Sequence, residues 1–361
     1  MTIIQPRPFH PWKTLFTLFV LMALFVYHYF VRDPNGPDHL HWTGRTMGTH
    51  YVVRIADSPL TQREARDLRA GIEKRLAQMN DQMSLYLPDS EITRFNQSRS
   101  LEPFPVSPDF ARVTRYALEL AERTDGAFDP TIAPVLALWG FGPEGRPGSV
   151  PDAEQIEEVR RITGHRHIAV PADDRIQKRI PEATLDLNAV AKGYAADQIG
   201  VLLKQKGLTN HYVEIGGDLV VSGHNHKGQA WRIGIEQADP AAPPGTALAG
   251  IAHVSGMALA GSGDYRSFHE DPDGDPYAHI LDPRTGKPVR HRLGGVTVAA
   301  PTCLEADGIA TAVFVMGLEN GLHWIDEHPE VEALFIYRRE DGTFGHRFSR
   351  GFRDITSFEE W

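Results

Sequence analysis

The chain has 361 residues, a formal net charge of −10 at pH 7 and a single cysteine, Cys303. This length fits one large domain or two smaller ones and is long enough to bury a sizeable core. The acidic balance and the lack of a basic patch argue against a nucleic-acid partner, and a single cysteine excludes an internal disulfide framework.

The N-terminal segment predicts a membrane anchor. The 18 residues from Thr14 to Val31 carry no formally charged side chain, which is about the minimum length for a transmembrane helix. Arg7 and Lys13 precede the segment and place the N-terminus in the cytoplasm. The absence of a small-residue cleavage pattern favours an uncleaved anchor over a cleaved signal. The predicted order is a cytoplasmic N-terminus (1–13), an anchor (14–31), a linker (32–40) and one domain (41–361).

The first part of the domain combines a strand region with helices. Residues 41–55 are typical of a strand pair or a bent strand, with the Met47-Gly48-Thr49 sequence in its middle. A glycine inside a strand often marks close approach of a ligand or another backbone. Thr61-Gln62-Arg63-Glu64 is a capping box that begins a helix ending near Met83. Tyr86, in the loop that follows, is either an aromatic platform or simply packed.

A predicted strand, Thr184–Leu187, leads directly into a predicted helix that ends at Gly207. The first turn of a helix presents unpaired N–H groups and a partial positive charge, which suits a phosphate. Lys192 adds a full positive charge, and Asp186 can accept hydrogen bonds from a ligand. The alternative is a structural corner in which Asn188 caps the helix.

After Gly207 the sequence becomes β-rich, with five predicted strands between residues 212 and 260. A further helix is predicted over residues 303–316, where Gly317 ends it. Helices and strands are mixed without strict alternation, which predicts an α+β fold with mixed or antiparallel sheets and packed helices.

The second half of the chain also contains candidate catalytic residues. Asp307 and Thr311 lie four apart, on one face of a predicted helix, and such a pair suits Mg²⁺. The alternative is that Asp307 only complements the helix dipole. His279, just before the Asp282-Pro283 turn, is a candidate general base, although the chain has 17 histidines. Paired histidines elsewhere lack further ligands at zinc spacing.

Eight motifs, in order, resemble the family of FAD:protein FMN transferases, also described as thiamine-biosynthesis-lipoprotein-like. They are Met47-Gly48-Thr49; Ser84-x-Tyr86 with Ser90-Glu91-Ile92 and Asn96; Gly126-Ala127-Phe128-Asp129-Pro130-Thr131; Leu185–Asp197; Glu214-Ile215-Gly216-Gly217-Asp218; Ser262-Gly263-Asp264-Tyr265; His279-Ile280-Leu281-Asp282-Pro283-Arg284-Thr285-Gly286; and Ala306-Asp307-Gly308-x-Ala310-Thr311. Each motif is weak alone, but eight in the same order are specific. The implied fold is a flavin-transferase fold, T-fold-like.

The resemblance implies a reaction and a set of site residues. The family transfers FMN from FAD to a threonine hydroxyl of another protein through a phosphoester bond and releases AMP. By resemblance, Asp307 and Thr311 bind Mg²⁺ through side chains, Ala189 through its backbone carbonyl, and His279 takes the threonine proton. The residues implied in binding FAD are Met47, Tyr86, Ala127, Phe128, Asp129, Asp186, Lys192 and Ile280.

The resemblance also implies partners and a location. The acceptors would be subunits of membrane redox complexes that carry a target threonine. The chain would be a single-pass protein of the inner (cytoplasmic) membrane, with its transferase domain (41–361) on the periplasmic, extracytoplasmic side.

The sequence departs from the family pattern at two points. Many members carry a lipid-modified cysteine, whereas this chain has no cysteine before Cys303, so the apolar helix is expected to do the anchoring. Asn188 occupies a position where a small residue is expected, which affects the phosphate geometry.

Two alternative functions remain open. The first is an FAD pyrophosphatase that yields FMN and AMP, and the second is a non-catalytic FAD-binding protein. The metal pair and His279 favour catalysis, because a carrier needs neither a metal nor a base.

Overall fold

The computed structural model describes residues 39–142, 150–243, 245–264, 268–270, 276–278 and 280–361. The helices are α1 (Gln62–Met83), α2 (Glu91–Gln97), α3 (Pro108–Arg123), α4 (Ala133–Leu138), α5 (Ala153–Ile162), α6 (Asn188–Gln205), α7 (Cys303–Met316), α8 (Leu318–Asp326) and α9 (Phe352–Thr356). The strands are β1 (His39–Thr46), β2 (Thr49–Ala56), β3 (Phe104–Pro105), β4 (Ile168–Ala172), β5 (Arg175–Lys178), β6 (His211–Ile215), β7 (Asp218–Ser222), β8 (Trp231–Glu236), β9 (Leu248–Val254), β10 (Ala258–Gly263), β11 (Phe268–Glu270), β12 (Pro276–Ala278), β13 (Leu281–Asp282), β14 (Lys287–Pro288), β15 (Leu293–Ala300), β16 (Glu332–Arg338), β17 (Phe344–Phe348) and β18 (Glu359–Glu360). The predicted α+β class is confirmed.

The centre of the fold is an eight-stranded sheet with strand order β1-β2-β6-β7-β10-β15-β16-β17. Neighbouring strands in it are antiparallel. Successive side chains of a strand point to opposite faces, and β6 shows this clearly. Val213 and Ile215 pack against the helices, whereas Tyr212 packs in a second core on the other face.

That second core lies under a small sheet with strand order β18-β9-β8. The residues of β8 alternate, so that Trp231, Ile233 and Ile235 are buried in the second core while Arg232 and Gly234 are exposed. The domain therefore has three layers: helices, the large sheet and the small sheet.

Helices α6 and α7 cross very closely on the helical face. A Cβ atom at Gly193 would lie 2.2 Å from the carbonyl oxygen of Cys303, so only glycine fits there. Asp197 of α6 accepts hydrogen bonds from the backbone N–H groups of Cys303 and Leu304, each at 2.9 Å. The side chain thus satisfies two of the free amides that open α7.

The predicted strand Thr184–Leu187 is wrong, because the structure places no strand there. Leu185 pairs with a side chain, and the Asp186 N–H donates to the Pro130 carbonyl at 2.7 Å, in place of a strand ladder. The amide of Asn96 donates to the Leu185 carbonyl at 2.9 Å and accepts from the Leu185 N–H at 2.8 Å. The helix that follows was predicted correctly, since α6 ends just before Gly207, which has a φ of 76°.

The sequence-based anchor (14–31) and the residues on either side of it, up to 38, lie outside the described residues. Strand β1 begins at His39, two residues before the predicted start of the domain. None of the helices that the structure describes combines the length and the apolar character needed to cross a bilayer.

Candidate active site

A cleft of about 900 Å³ opens beside the first turn of α6. It forms where the large sheet separates, because β10 pairs with β7 only through Ala258 and Leu259 but pairs with β15 along its whole length. The tight β6–β7 turn at Gly216 and Gly217, with φ values of 61° and 97°, borders the gap. The volume lies in the range of about 300–1,000 Å³ that is usual for ligand pockets.

The cleft brings together most of the residues proposed from the sequence. The predicted residues that line it are Tyr86, Ala127, Phe128, Asp129, Asp186, Ala189, Lys192, Ile280, Asp307 and Thr311. Met47 is not among the lining residues; it lies in the turn between β1 and β2 with a φ of 48°. His279, the predicted base, lies outside the described residues.

An ion cluster lies at the base of the cleft. The Lys192 Nζ atom is 2.6 Å from Asp218 Oδ2 and 3.4 Å from Asp307 Oδ1. Both carboxylates are buried, with side-chain exposures of 4% and 5%. Burial alone would lower the pKa of Lys192, but the two carboxylates outweigh it and raise that pKa, so the side chain is a cation.

Asp218 is the member of this cluster that the sequence-based assignment of site residues omitted. Asp218 directly follows the Gly216–Gly217 turn. A pair of glycines before a buried strand was therefore the sequence feature that could have identified it. Burial, and then the charge of Asp307, raise the pKa of Asp218 above the usual range for a carboxyl. The cluster holds two carboxylates and one ammonium, so its local charge is negative when both acids are ionised.

Asp307 and Thr311 lie one turn apart on α7, as predicted. The Asp307 Oδ2 atom accepts a hydrogen bond from the Gly193 N–H at 3.0 Å. In a regular helix that N–H serves the carbonyl four residues earlier, which here belongs to Ala189. Asp307 therefore competes for this donor, and the Ala189 carbonyl retains capacity for another ligand.

The donor set around Asp307 fits a hard cation with a partly hydrated shell. Thr311 Oγ1 lies 3.2 Å from Ser262 Oγ, so a second hydroxyl accompanies it. No group of three His, Cys, Asp or Glu side chains with metal-binding geometry occurs in the described part of the chain. One carboxylate, a hydroxyl and a carbonyl suit Mg²⁺, which keeps waters and takes ligands from phosphates.

Asp186 lies two residues before α6, a helix whose N-cap position makes no side-chain cap hydrogen bond. Its Oδ1 atom accepts from the Asn188 N–H at 2.8 Å, and burial raises the pKa of the Asp186 carboxyl. Leu187 occupies the N-cap position, and Asn188 is the exposed first residue of the helix. The interpretation of Asn188 as the N-cap is therefore wrong.

Asp129 lines the cleft, but its carboxylate is already engaged by its own loop and by the segment around His165. It accepts from the Thr131 N–H at 2.8 Å and from the His165 N–H at 2.8 Å. Its contribution to the cleft is therefore mainly to hold the loop shape. Tyr86, in contrast, is 69% exposed, so its ring is accessible for stacking.

Comparison with known proteins identifies the family. The model of the ApbE family matches residues 47–335. The chain belongs to the ApbE family. Its sequence is similar to the FAD:protein FMN transferase of Vibrio cholerae, with 39% identity over 320 residues that cover 89% of this chain and 93% of that protein. The protein of the same name from Escherichia coli K12 is 34% identical over 320 residues, which cover 88% and 89% of the two chains.

Solved structures agree with this family membership. The flavin transferase ApbE from Vibrio cholerae superposes with a TM-score of 0.79 at 38% identity and covers 88% of this chain and 98% of its own. The apo form of the Pseudomonas stutzeri flavinyl transferase ApbE gives a TM-score of 0.78 at 36% identity, with coverages of 88% and 96%. The family suggested by the eight motifs is confirmed, and its named members are enzymes.

Proposed function

We propose that this ApbE-family chain transfers FMN from FAD to a threonine hydroxyl of an acceptor protein and releases AMP. The observation that carries the proposal is the Lys192–Asp218–Asp307 cluster, which lies beside the first turn of α6 in a cleft large enough for a dinucleotide. Relatives at 34–39% identity are named for FMN transfer from FAD.

The chain's own residues supply most of what this reaction needs. The N-terminal end of the α6 dipole and the Lys192 ammonium supply positive potential for the FAD pyrophosphate. Tyr86 offers an aromatic face to a ring of the flavin or adenine. Asp186 accepts from the Asn188 N–H at the start of α6 and also borders the cleft.

A metal completes the proposed site. Asp307, Thr311 and the Ala189 carbonyl would hold Mg²⁺, which neutralises and orients the pyrophosphate when it is bound. Asp218 keeps Lys192 next to Asp307, so that the Lys192 ammonium and the metal would both lie beside the Asp307 carboxylate.

The chemical step we propose is a direct displacement at the FMN-side phosphorus. The threonine oxygen forms the new bond to phosphorus, the bond to the AMP oxygen breaks, and His279 takes the threonine proton. The role of His279 rests on the sequence motif, because that residue lies outside the described part of the chain.

The experiment combines the chain with FAD, Mg²⁺ and an acceptor domain, and compares that domain with a Thr→Val variant at its target position. Mass spectrometry is expected to show covalent FMN on the threonine form alone, with one AMP released per label. Free FMN with no labelled acceptor would establish an FAD pyrophosphatase instead. Tight FAD binding without AMP would establish a non-catalytic FAD-binding protein.

We further propose that the apolar segment 14–31 anchors the chain in the inner membrane, with the domain on the periplasmic side. The acceptors would then be periplasmic, FMN-carrying subunits of membrane redox complexes. This proposal rests on the uncharged segment and on the positive charges that precede it.

A further inference from the structure

Among the residues that the structure describes, strand β8 forms an unpaired edge of the small sheet beside the cleft. It is the last strand of the small sheet, and in the described part of the chain only β9 pairs with it. Five consecutive residues, Arg232 to Glu236, line the cleft. Every second residue of an edge strand directs its N–H and C=O away from its sheet, so this edge offers a row of backbone donors and acceptors.

The β8 edge and the ion cluster lie in different arms of the same cleft. Ala127 and Phe128 pack in the core on the helical side of the large sheet, and Lys192 and Asp307 are carried by α6 and α7 of that side. By contrast, β8 packs with Tyr212 and Leu219 on the opposite side. The gap between β7 and β10 connects the two sides. A chain that lies along β8 therefore has access to the reaction centre from the side away from the helices.

Two arginines flank this arm and have no carboxylate partner among the residues described. Arg54 is exposed, and its guanidinium lies over the Tyr212 ring at 5.3 Å. Arg232 is exposed on β8. The neighbouring acids are engaged elsewhere, since Glu214 accepts from the Tyr212 hydroxyl and Glu236 accepts from the Gly245 N–H at 2.6 Å.

We propose that the acceptor protein binds here, with the segment that carries its target hydroxyl extended along β8 as an added strand. Strand addition at a free edge is a common mode of peptide recognition. The two arginines select an acidic side chain next to the target hydroxyl. This inference rests on the proposed transferase function and adds where, and by which chemistry, the acceptor is recognised.

The geometry of the displacement favours the acceptor over FAD as the occupant of this arm. The attacking and leaving oxygens must lie roughly in line through the phosphorus, so the acceptor and the leaving AMP must enter the site from different directions. The proposed FAD-binding residues Ala127 and Phe128 pack in the core on the helical side. We therefore assign the arm of the cleft beside β8 to the acceptor, whose hydroxyl is the nucleophile.

Charge reversal tests the recognition step. Arg232→Glu and Arg54→Glu are each expected to raise the KM for the acceptor about tenfold or more, which corresponds to about 1.4 kcal/mol, and to leave the Kd for FAD unchanged. Arg347→Glu is the matched control, because Arg347 is also an exposed arginine on an edge strand, β17, outside the cleft. An acceptor in which the acidic residue beside the threonine is replaced by lysine should regain activity with Arg232→Glu.

Disulfide trapping tests the strand geometry without relying on activity. The only cysteine, Cys303, is buried, so Arg232→Cys in the full chain introduces one reactive thiol. Single cysteines placed at successive positions around the acceptor threonine should form disulfides with a period of two, as side chains of a strand alternate. Trapping without periodicity, or none, would refute the added strand.

The kinetic outcomes separate the two proposals. Unchanged acceptor KM in both arginine variants, or a raised Kd for FAD with unchanged acceptor KM, overturns the acceptor site while the transferase function stands. A wild-type chain that never labels an acceptor overturns the proposed function itself.

Discussion

Lys192 is the residue on which the candidate site depends most. Its ammonium contacts two buried carboxylates that come from separate elements, Asp218 on β7 and Asp307 on α7. Without the cation, these two acids would face each other in a poorly solvated place. A buried charge that loses its partner is strongly destabilising, so Lys192 has a structural role in addition to its proposed contact with phosphate.

We predict that Lys192→Met lowers the free energy of unfolding by about 3 kcal/mol, since removal of one partner of a buried pair typically costs about 3–5 kcal/mol. The lower figure applies because the Lys192 side chain is 29% exposed. Adding Asp218→Asn should restore about 1–3 kcal/mol of this loss, because it removes the repulsion between the carboxylates of Asp218 and Asp307. Urea unfolding checks both values.

The control for this pair is Lys204→Met, which removes an exposed lysine from the same helix. It is expected to change the unfolding free energy by less than about 0.5 kcal/mol. Equal urea midpoints for Lys192→Met and wild type would show that the cluster does not stabilise the fold.

Lys178 is expected to make the stability of the fold depend on pH. Its Nζ atom donates to the Ser98 carbonyl at 2.6 Å and to the Asn96 carbonyl at 3.1 Å, at the end of α2. Burial, and then the positive charge of Arg99, lower the pKa of Lys178 to about 8 from 10.5. Between these two values the unfolded chain binds more protons than the folded one, so this group makes stability rise with pH.

We therefore expect the unfolding free energy of wild type, measured relative to Lys178→Met, to increase between pH 8 and pH 10.5. The increase should be on the order of 2 kcal/mol, because one pKa unit corresponds to about 1.4 kcal/mol. Urea unfolding at the two pH values measures it. A difference that is flat, or that falls over this range, would mean that Lys178 titrates normally in the folded state.

At the level of elements, the crossing of α6 and α7 positions the site. The two helices carry Lys192, Ala189, Asp307 and Thr311, and their close approach depends on Gly193. Any side chain at that position would separate the helices and move Asp307 away from the first turn of α6. The glycine is therefore a requirement of the site as well as of the packing.

We predict that Gly193→Ala destabilises the chain by about 1–3 kcal/mol or more, as overpacking does, and weakens FAD binding at least tenfold (~1.4 kcal/mol). The reason is that a Cβ would also lie 2.9 Å from the Cβ of Asp307. Thermal unfolding and FAD titration measure the two effects.

Gly71→Ala is the matched control for this substitution. Gly71 lies in α1, and beyond its own helix backbone and chain neighbours nothing lies within 4 Å of the place that a Cβ would occupy. Alanine should therefore stabilise the chain by about 0.4–1 kcal/mol. If Gly193→Ala behaved like Gly71→Ala, the close crossing of α6 and α7 would not constrain the site.

The long helices were predictable from local signals, and the short extended segment before α6 was not. The start of α1 was predicted from Thr61 and Glu64, and the structure shows that these two residues form a complete capping box. The segment around Leu185 has strand composition, but its hydrogen-bond partners are the Asn96 side chain and the Pro130 carbonyl, both distant in the sequence. A single chain gives no local sign of such a partner.

The site shows the same division between local and distant information. Asp307 and Thr311 share a helix face, so their proximity follows from spacing alone. The place of Asp218 beside Lys192 depends on the antiparallel order of β6, β7 and β10, which the sequence does not specify. Asp129 lines the cleft, but its hydrogen bond from the His165 N–H joins residues that are distant in the sequence and becomes visible only once the chain is folded.

At the scale of the whole molecule, three layers enclose a cleft that opens toward both faces of the large sheet. Every lining residue of the cleft that the structure describes lies between positions 54 and 336. The segment that precedes His39 is therefore expected to determine where the protein is located, and not how it binds flavin. Membrane attachment and flavin binding should be separable properties.

We predict that the full chain remains with membranes after carbonate extraction, whereas a chain that begins at Asp38 is released into the soluble fraction with the same Kd for FAD. A helix over the 18 uncharged residues from Thr14 to Val31 would span about 27 Å at 1.5 Å per residue, close to the ~30 Å hydrocarbon core. Replacing Leu21 and Leu24 by lysine should release the full chain as well, because each charge costs about 2.5–3.5 kcal/mol at the helix centre. A wild-type chain that is released by carbonate, or that is recovered without its first 31 residues, would contradict an uncleaved anchor.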